Sequence, residues 1–451
     1  MDDILNLVRR LYPYPYSVAA KGNDDALPVW LAELPFAVHE YPSGAELNGW
    51  SIPPAWRVEI AEIRKNGELV YDAAQSPLGV PTLSRSFRGR LGLQELRKHL
   101  YYSDTDADAI VYHWGALYRD QKEGDWGLCA PRRLVESLAE GEYEVNLVTH
   151  TAPAKMKVLD YLLPGKSPRT VLLNGHNCHP FQANDDISGC AVGITVMKLL
   201  AALPERRYSY RLVVAPELIG TMFWLDGLGN AARNIACTIM LKSVGNDRDL
   251  QLQESFSGES FIDQAAHHVF GHRYGIYHSA PFRKIHGNDE TVFEAPGYEI
   301  PSICVTRWPF DQYHTHKDTP ETLSESRLRD TAEAVFEVCM AFERDVRLRA
   351  TFTGLVRLSD PRYDLYMPAA APGLDREDHT EEMARWNWLM NCLPRHLDGC
   401  TGLLEIADRY GLPVAEVHAY AMKWVERGLA AVTTDDPAAT SPAKSPAQAD
   451  R

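Results

Sequence analysis

The chain has 451 residues, 45% hydrophobic and 24% charged, a soluble globular profile too long for one ordinary core, so two or three domains are expected. Its formal net charge of −15 argues against broad affinity for nucleic-acid phosphate. No apolar run is long enough to span a bilayer, and Met1-Asp2-Asp3-Ile4 lacks the basic-then-apolar start of a signal peptide. Eight cysteines, at 129, 178, 190, 237, 304, 339, 392 and 400, form no CxxC pair and read as reduced thiols of a cytoplasmic protein.

Residues 2–13 predict an amphipathic helix with Ile4, Leu5, Val8 and Leu11 on one face, followed by a helix over 25–34 and a strand over 36–41. From Trp50 to about Leu163 the texture changes to short alternating segments, such as 56–63 and 143–148, punctuated by Asn66-Gly67 and prolines, which is a β-rich module. From Ser167 to about Val346, strands alternate with helices: 170–174 with 188–203, 208–215 with 219–233, 236–244 with 258–271, and 301–306 with 324–346. Repeated strand–helix units imply an α/β domain with a mostly parallel sheet and helices on both faces. The first elements share that character, so the α/β domain is expected to comprise 1–47 and 166–350, with 48–165 inserted. A Pro- and Gly-dotted connector covers 350–375, and three helical patterns follow over 379–433. Two of them flank Gly411 with helix-turn-helix spacing, and the domain is taken as 351–433, ahead of a disordered tail over 434–451.

Four polar stretches carry the chemistry. Strand 170–174 empties into Asn174-Gly-His176-Asn-Cys178-His179-Pro, followed by Asp185-Asp186-Ile-Ser-Gly189. Strand 208–215 ends in Pro216-Glu217-Leu-Ile-Gly220-Thr221, and Gly287-Asn-Asp289-Glu290 is a polar loop. The last, Asp311-Gln-Tyr313-His314-Thr-His316-Lys-Asp318-Thr319, follows strand 301–306. Strand C-termini in an open parallel sheet share one crevice, so distant stretches can converge there. Zinc hydrolysis needs about three N/O ligands, an open position and a carboxylate base. His176 or His179, Asp185 and His314 are the candidate ligands, and Glu217 is a candidate base or ligand. Asp318 is a second candidate catalytic carboxylate, although Asp318-Thr319-Pro320 could instead cap the next helix. Arg307 and Tyr313, beside the same loop, are candidate substrate-binding residues.

The order His, N-D-D-x-S-G, P-E-x-x-G-T, Y-H-T-x-x-D-T resembles the bacterial aminopeptidase-like zinc peptidases of the leucyl-aminopeptidase group. H-N-C-H-P with A-N-D-D-I-S-G, and the Trp126-Gly-Leu-Cys segment, are similar to a branch with an inserted β domain and a C-terminal winged helix. The resemblance spans roughly residues 1–432 and implies that Asp185 is the central metal ligand, bridging if two metals bind, with His314 and His176 as further ligands. Glu217 falls in the family's acidic catalytic loop, where adjacent glutamates are usual and only one is present here. Cys178 replaces an aspartate that orients the first histidine, and strand 238–245 carries Lys242-Ser243 with no acid at the expected place. One zinc is therefore implied, with a second site weak or absent.

Asp289 and Glu290 are candidate anchors for a substrate ammonium, or else partners of Arg283 or Lys284. The second helix of the helix-turn-helix offers one Lys and one His against two Glu, which disfavours DNA and favours a protein contact, including a homo-oligomer. The leading expectation is a zinc-dependent aminopeptidase or amidohydrolase of a small peptide or amide. The alternative is a non-catalytic ligand- or protein-binding protein on a peptidase scaffold.

Overall fold

The computed structural model describes residues 3–115, 117, 125–367 and 380–433. Helix α1 (Ile4–Leu11) buries Ile4, Leu7, Val8 and Leu11, and Asp3 caps it by accepting the N–H of Asn6. Helix α2 (Lys21–Glu33) follows. Eight strands then build one sheet: β1 (Ala37–Pro42), β2 (Lys155–Leu163), β3 (Thr170–His176), β4 (Ser209–Ala215), β5 (Ile235–Lys242), β6 (Gln251–Gln253), β7 (His278–Ala280) and β8 (Ser302–Thr306).

The strand order is β1-β2-β4-β3-β5-β8-β6-β7. The central four, β4-β3-β5-β8, are parallel. Antiparallel pairings flank them, β1 on β2 on β4 at one side and β6 on β8 at the other. The sheet is thus mixed around a parallel centre. β1 leads into the β-rich module and β2 leads out of it, and a segment returning beside its own exit strand without a crossover helix must run antiparallel. β2 falls within the 48–165 range expected for the insertion, yet it pairs in the large sheet.

Every residue of β3 is buried, because both faces of the sheet are covered, and such a strand reads as a continuous apolar run. Helix α3 (Ser188–Ala201) lies on the Leu212/Leu241 face, where a Cβ on Gly193 would stand 2.8 Å from Leu212 Cδ1. Helix α4 (Ile219–Gly227) covers the opposite face, with Trp224 clustered against Leu172, Val213 and Met240. The β-rich module carries a four-stranded antiparallel sheet in which 55–65 and 142–152 are the inner strands. Its own core includes Ile63, Leu96, Trp126, Leu128, Tyr143 and Leu147.

The chain divides into two compact units, 1–258 with 278–333, and 259–277 with 334–451. The first holds the large sheet and the β-rich module. In the second are α5 (Phe261–Tyr274), the end of α6 (Glu325–Arg344), α7 (Glu381–His396), α8 (Leu403–Tyr410) and α9 (Val414–Glu426). A three-stranded sheet with 347–350 in the middle completes it. Gly411, at φ +61, makes the left-handed turn between α8 and α9 that the sequence predicts. His268 of α5 pins this turn, with Nδ1 2.5 Å from Asp408 Oδ1 and Nε2 accepting the N–H of Val414 at 2.9 Å. The stretch expected to be disordered, 434–451, lies outside the described residues, as do 368–375 of the connector. No helix among the described residues is long and apolar enough to cross a membrane.

Candidate functional site

The parallel strands bring their C-terminal ends to one edge of the sheet. His176 closes β3, Glu217 follows β4, Lys242 closes β5, and the loop from Arg307 to Asp318 follows β8. Asp185 stands among them, wholly buried, and its two oxygens face different partners.

Asp185 Oδ2 lies 3.5 Å from His179 Nε2 and 3.3 Å from His314 Nε2. Among the described residues, neither Oδ2 nor His179 Nε2 has a hydrogen-bond partner, although both atoms are buried. Orphaned polar atoms of this kind cost about 1–3 kcal/mol each. Ligand atoms bound to zinc at about 2.0–2.1 Å stand roughly 3.3–3.4 Å apart across a tetrahedral edge. His179, Asp185 and His314, with ligand atoms all within 4.8 Å of one another, therefore fit a tetrahedral ion with one position left open. Burial lowers the pKa of His314, which favours the neutral imidazole that a metal requires.

Asp185 Oδ1 faces the other way. It accepts from the ammonium of Lys242 and lies 3.1 Å from His176 Nε2. The same ammonium donates to His176 Nε2 at 2.6 Å. Lys242 is wholly buried; desolvation alone would lower its pKa, but Asp185 and then Glu217 raise it well above the ordinary value, so it stays charged. His176 Nδ1 is 3.5 Å from Cys178 Sγ, so a thiol takes the place beside this histidine where the family resemblance calls for an aspartate. His176, Cys178 and Glu217 make a second group of ligand-type atoms within 4.8 Å of one another. The two candidate histidines thus separate, His179 on the His314 side and His176 on the Lys242 side. Reading the sequence registers only a missing acid at the end of β5. The available signal is a lysine at the inner end of an apolar strand, where a buried ammonium demands a counter-charge.

Other acids hold the backbone of this centre. Asp318 accepts the N–H groups of Asn184 at 2.7 Å and Asp185 at 3.0 Å. Asp186 accepts those of Ser243 at 3.0 Å and His176 at 3.3 Å. Both are buried, and burial raises both carboxyls well above the usual range. Asp318, a candidate catalytic residue from sequence, is placed behind the ligand loop as a positioning residue. Asp289 holds the turn after Glu217, with Oδ1 accepting from Leu218 N–H at 2.5 Å and Oδ2 from the Thr221 hydroxyl at 2.7 Å. Glu290 accepts from Asn288 N–H at 2.7 Å and lies 3.9 Å from Arg283. Both carboxylates are committed inside the protein, which removes the basis for reading them as ammonium anchors.

Arg307, expected at the substrate, is instead a structural tie. Its buried guanidinium donates to the carbonyls of Val244 at 3.0 Å, Arg248 at 2.6 Å and Arg327 at 3.3 Å, and to Asp330 at 2.7 Å. Tyr313 does stay at the centre, its ring stacked on His314 with centroids 3.8 Å apart. Trp308 meets Tyr313 edge-on at 4.7 Å and packs on His286 at 4.4 Å. Among the described residues His286 Nε2 is buried without a partner, and burial, then Lys242, lowers this imidazole to about 3. Tyr112, unsuspected from sequence, comes from the β-rich module and stacks on His179 with centroids 4.3 Å apart. A bridge between Val111 and Thr315 and a hydrogen bond from Tyr112 N–H to the His314 carbonyl at 2.7 Å fix it there.

This sheet, with the candidate ligands at its strand ends, has an aminopeptidase-like fold. A zinc aminopeptidase from Bacillus subtilis superposes with a TM-score of 0.56 at 14% identity, covering 74% of this chain and 93% of that one. The crystal structure of a candidate peptidase from Clostridium acetobutylicum superposes with a TM-score of 0.79 at 25% identity, covering 95% and 96%. A protein of the same organism, named as a candidate polysaccharide biosynthesis protein with an aminopeptidase-like domain, is 27% identical over 413 residues, 91% of this chain and 92% of the relative. Residues 5–345 match the family described as a domain of unknown function, DUF4910, and the chain belongs to that family.

Proposed function

We propose that the protein is a zinc-dependent hydrolase of the aminopeptidase or amidohydrolase type, acting on the peptide or amide bond of a small substrate. The observation that carries this reading is the convergence of His179 Nε2, Asp185 Oδ2 and His314 Nε2, two of them buried and partnerless. The Clostridium acetobutylicum relatives, named for a peptidase and an aminopeptidase-like domain, support the reaction class. A zinc ion held by these three residues supplies Lewis acidity toward an amide carbonyl and toward water. Glu217, half-buried at the same edge, takes a proton from the attacking water and returns it to the leaving nitrogen as the C–N bond breaks. Tyr313 and Tyr112 keep the imidazoles of His314 and His179 in place by stacking on them. The β-rich module, drawn over the His314 loop by the Val111–Thr315 bridge, restricts the site to small substrates.

Metal analysis of the full-length chain is expected to find about one zinc per molecule. A panel of aminoacyl amides and short peptides is expected to reveal turnover that Asp185→Ala and His314→Ala abolish while circular dichroism shows the fold retained. Turnover by the metal-free protein would sink the reading. The second reading, a ligand-binding protein without catalysis, is favoured by the lysine at the end of β5, and it requires binding of members of that panel with no turnover of any.

The C-terminal helices and three-stranded sheet suit a winged helix used for protein contact, including self-association. α9 presents Lys423 and His418 against Glu416 and Glu426, a poor match to DNA. The eight free cysteines suit a cytoplasmic location.

A further inference from the structure

The neighbourhood of Asp185 contains two groups of ligand-type atoms, His179–Asp185–His314 and His176–Cys178–Glu217. They differ in what already fills them. On the His179 side, buried atoms lack partners. On the His176 side, Lys242 enters from β5, and its ammonium donates to both Asp185 Oδ1 and His176 Nε2. Those two atoms stand only 3.1 Å apart, and the ammonium reaches both of them at once. The lysine is wholly buried and offset by Asp185, so it cannot swing into solvent without leaving a buried carboxylate uncompensated.

We infer that Lys242 is the resident second cation of this centre: its ammonium, pinned between Asp185 Oδ1 and His176 Nε2, takes the position of a second divalent ion and limits the chain to one. The inference rests on the reading of His179, Asp185 and His314 as the ligands of the first ion. A dication brought to His176 would meet an ammonium already at hydrogen-bond distance from its own ligand, and like charges at that separation in a buried site repel strongly. The second half of the centre is therefore filled by a side chain of this protein rather than by a second ion.

The test is a cobalt(II) titration of the metal-stripped full-length chain, followed by visible absorption and by the near-ultraviolet thiolate-to-cobalt band. The wild type is expected to take up one equivalent with no thiolate band, because the first ligand set contains no sulfur. Lys242→Asp, which exchanges the cation for an acid, is expected to take up a second equivalent. Lys242→Ala is the companion variant should that one fail to fold; it opens the His176–Cys178–Glu217 group, so its second cobalt should bring the thiolate band. Two equivalents in the wild type, or a thiolate band there, overturn the inference and leave the first site standing. A folded Lys242→Asp chain that still binds one equivalent also overturns it. No uptake by the wild type removes the zinc reading itself.

Discussion

The carboxylate of Asp318 accepts the backbone N–H of Asp185 at 3.0 Å, so the residue at the middle of the candidate ligands is held by its main chain from behind while its side chain faces the histidines. The adjoining Asn184 is fixed in three ways: its N–H reaches Asp318, its carbonyl accepts from Ser188 Oγ at 2.7 Å, and its Oδ1 accepts from Gly245 N–H at 2.9 Å. Hydrogen bonds of this kind, which fix the backbone behind the candidate ligands, are the ones that orient a ligand toward a metal ion.

Removing those acceptors is expected to be expensive. Asp318→Ala leaves two buried N–H groups unsatisfied, a loss of about 2–4 kcal/mol, and lowers zinc affinity roughly 10–100-fold. Asp318→Asn, which keeps one acceptor oxygen, is expected to lose less on both counts. Urea unfolding and competitive zinc titration measure the two effects, and equal losses in both variants would point to charge rather than to the hydrogen bonds.

The two histidines of the opening motif should behave differently. His179→Ala is expected to weaken zinc binding by more than the roughly 10–100-fold typical of an outer partner. His176→Ala should leave the first ion in place, since His176 faces Lys242 and Cys178. Zinc stoichiometry at a buffered free-ion concentration separates them; the reverse ranking would move the ion to the His176 side.

Arg307→Ala is expected to destabilise the fold by about 3–5 kcal/mol, because it strands Asp330 and three carbonyls that the guanidinium satisfies. The folded fraction should keep its KM, as the side chain does not reach the crevice. A large KM increase at unchanged unfolding midpoint would return Arg307 to the substrate.

Asp289 gives the stability curve a particular slope. Burial, then Glu217, raises its pKa from 3.8 to about 7. Between those two values the folded chain keeps a proton that the unfolded chain has released, so stability falls as pH rises from about 4 to about 7 and this contribution is flat above. Asp289→Asn is neutral throughout and can still accept from Leu218 N–H, so its unfolding free energy should lose that slope. An identical slope in the variant would assign it to other groups.

Elements were legible where packing leaves a chain little choice. β3 and α3 were expected at 170–174 and 188–203, and they occupy 170–176 and 188–201. α5 begins later than expected because Ser260 and Asp263 form a capping box that sets its first turn. β6 and β7 were illegible, since three residues show no period and only pairing with β8 and with each other defines them. Asp185 and His314 were legible as ligand types in an ordered set of motifs. The partners of Arg307, Asp289 and Glu290 were not legible for one reason: a sequence displays a charge without the backbone groups, hydroxyl and charged side chains that the fold sets beside it. Tyr112 gave no signal at all, because the pairing that delivers it joins stretches such as Ile110 and His316, 206 positions apart.

The bridge between Val111 and Thr315 ties the β-rich module to the loop that carries His314. A shortened chain lacking the module would keep every candidate ligand and yet lose the clamp that orients His314 and the ring that backs His179. Substitutions around 110–113 are therefore expected to change the surroundings of His179 and His314 while every candidate ligand stays untouched.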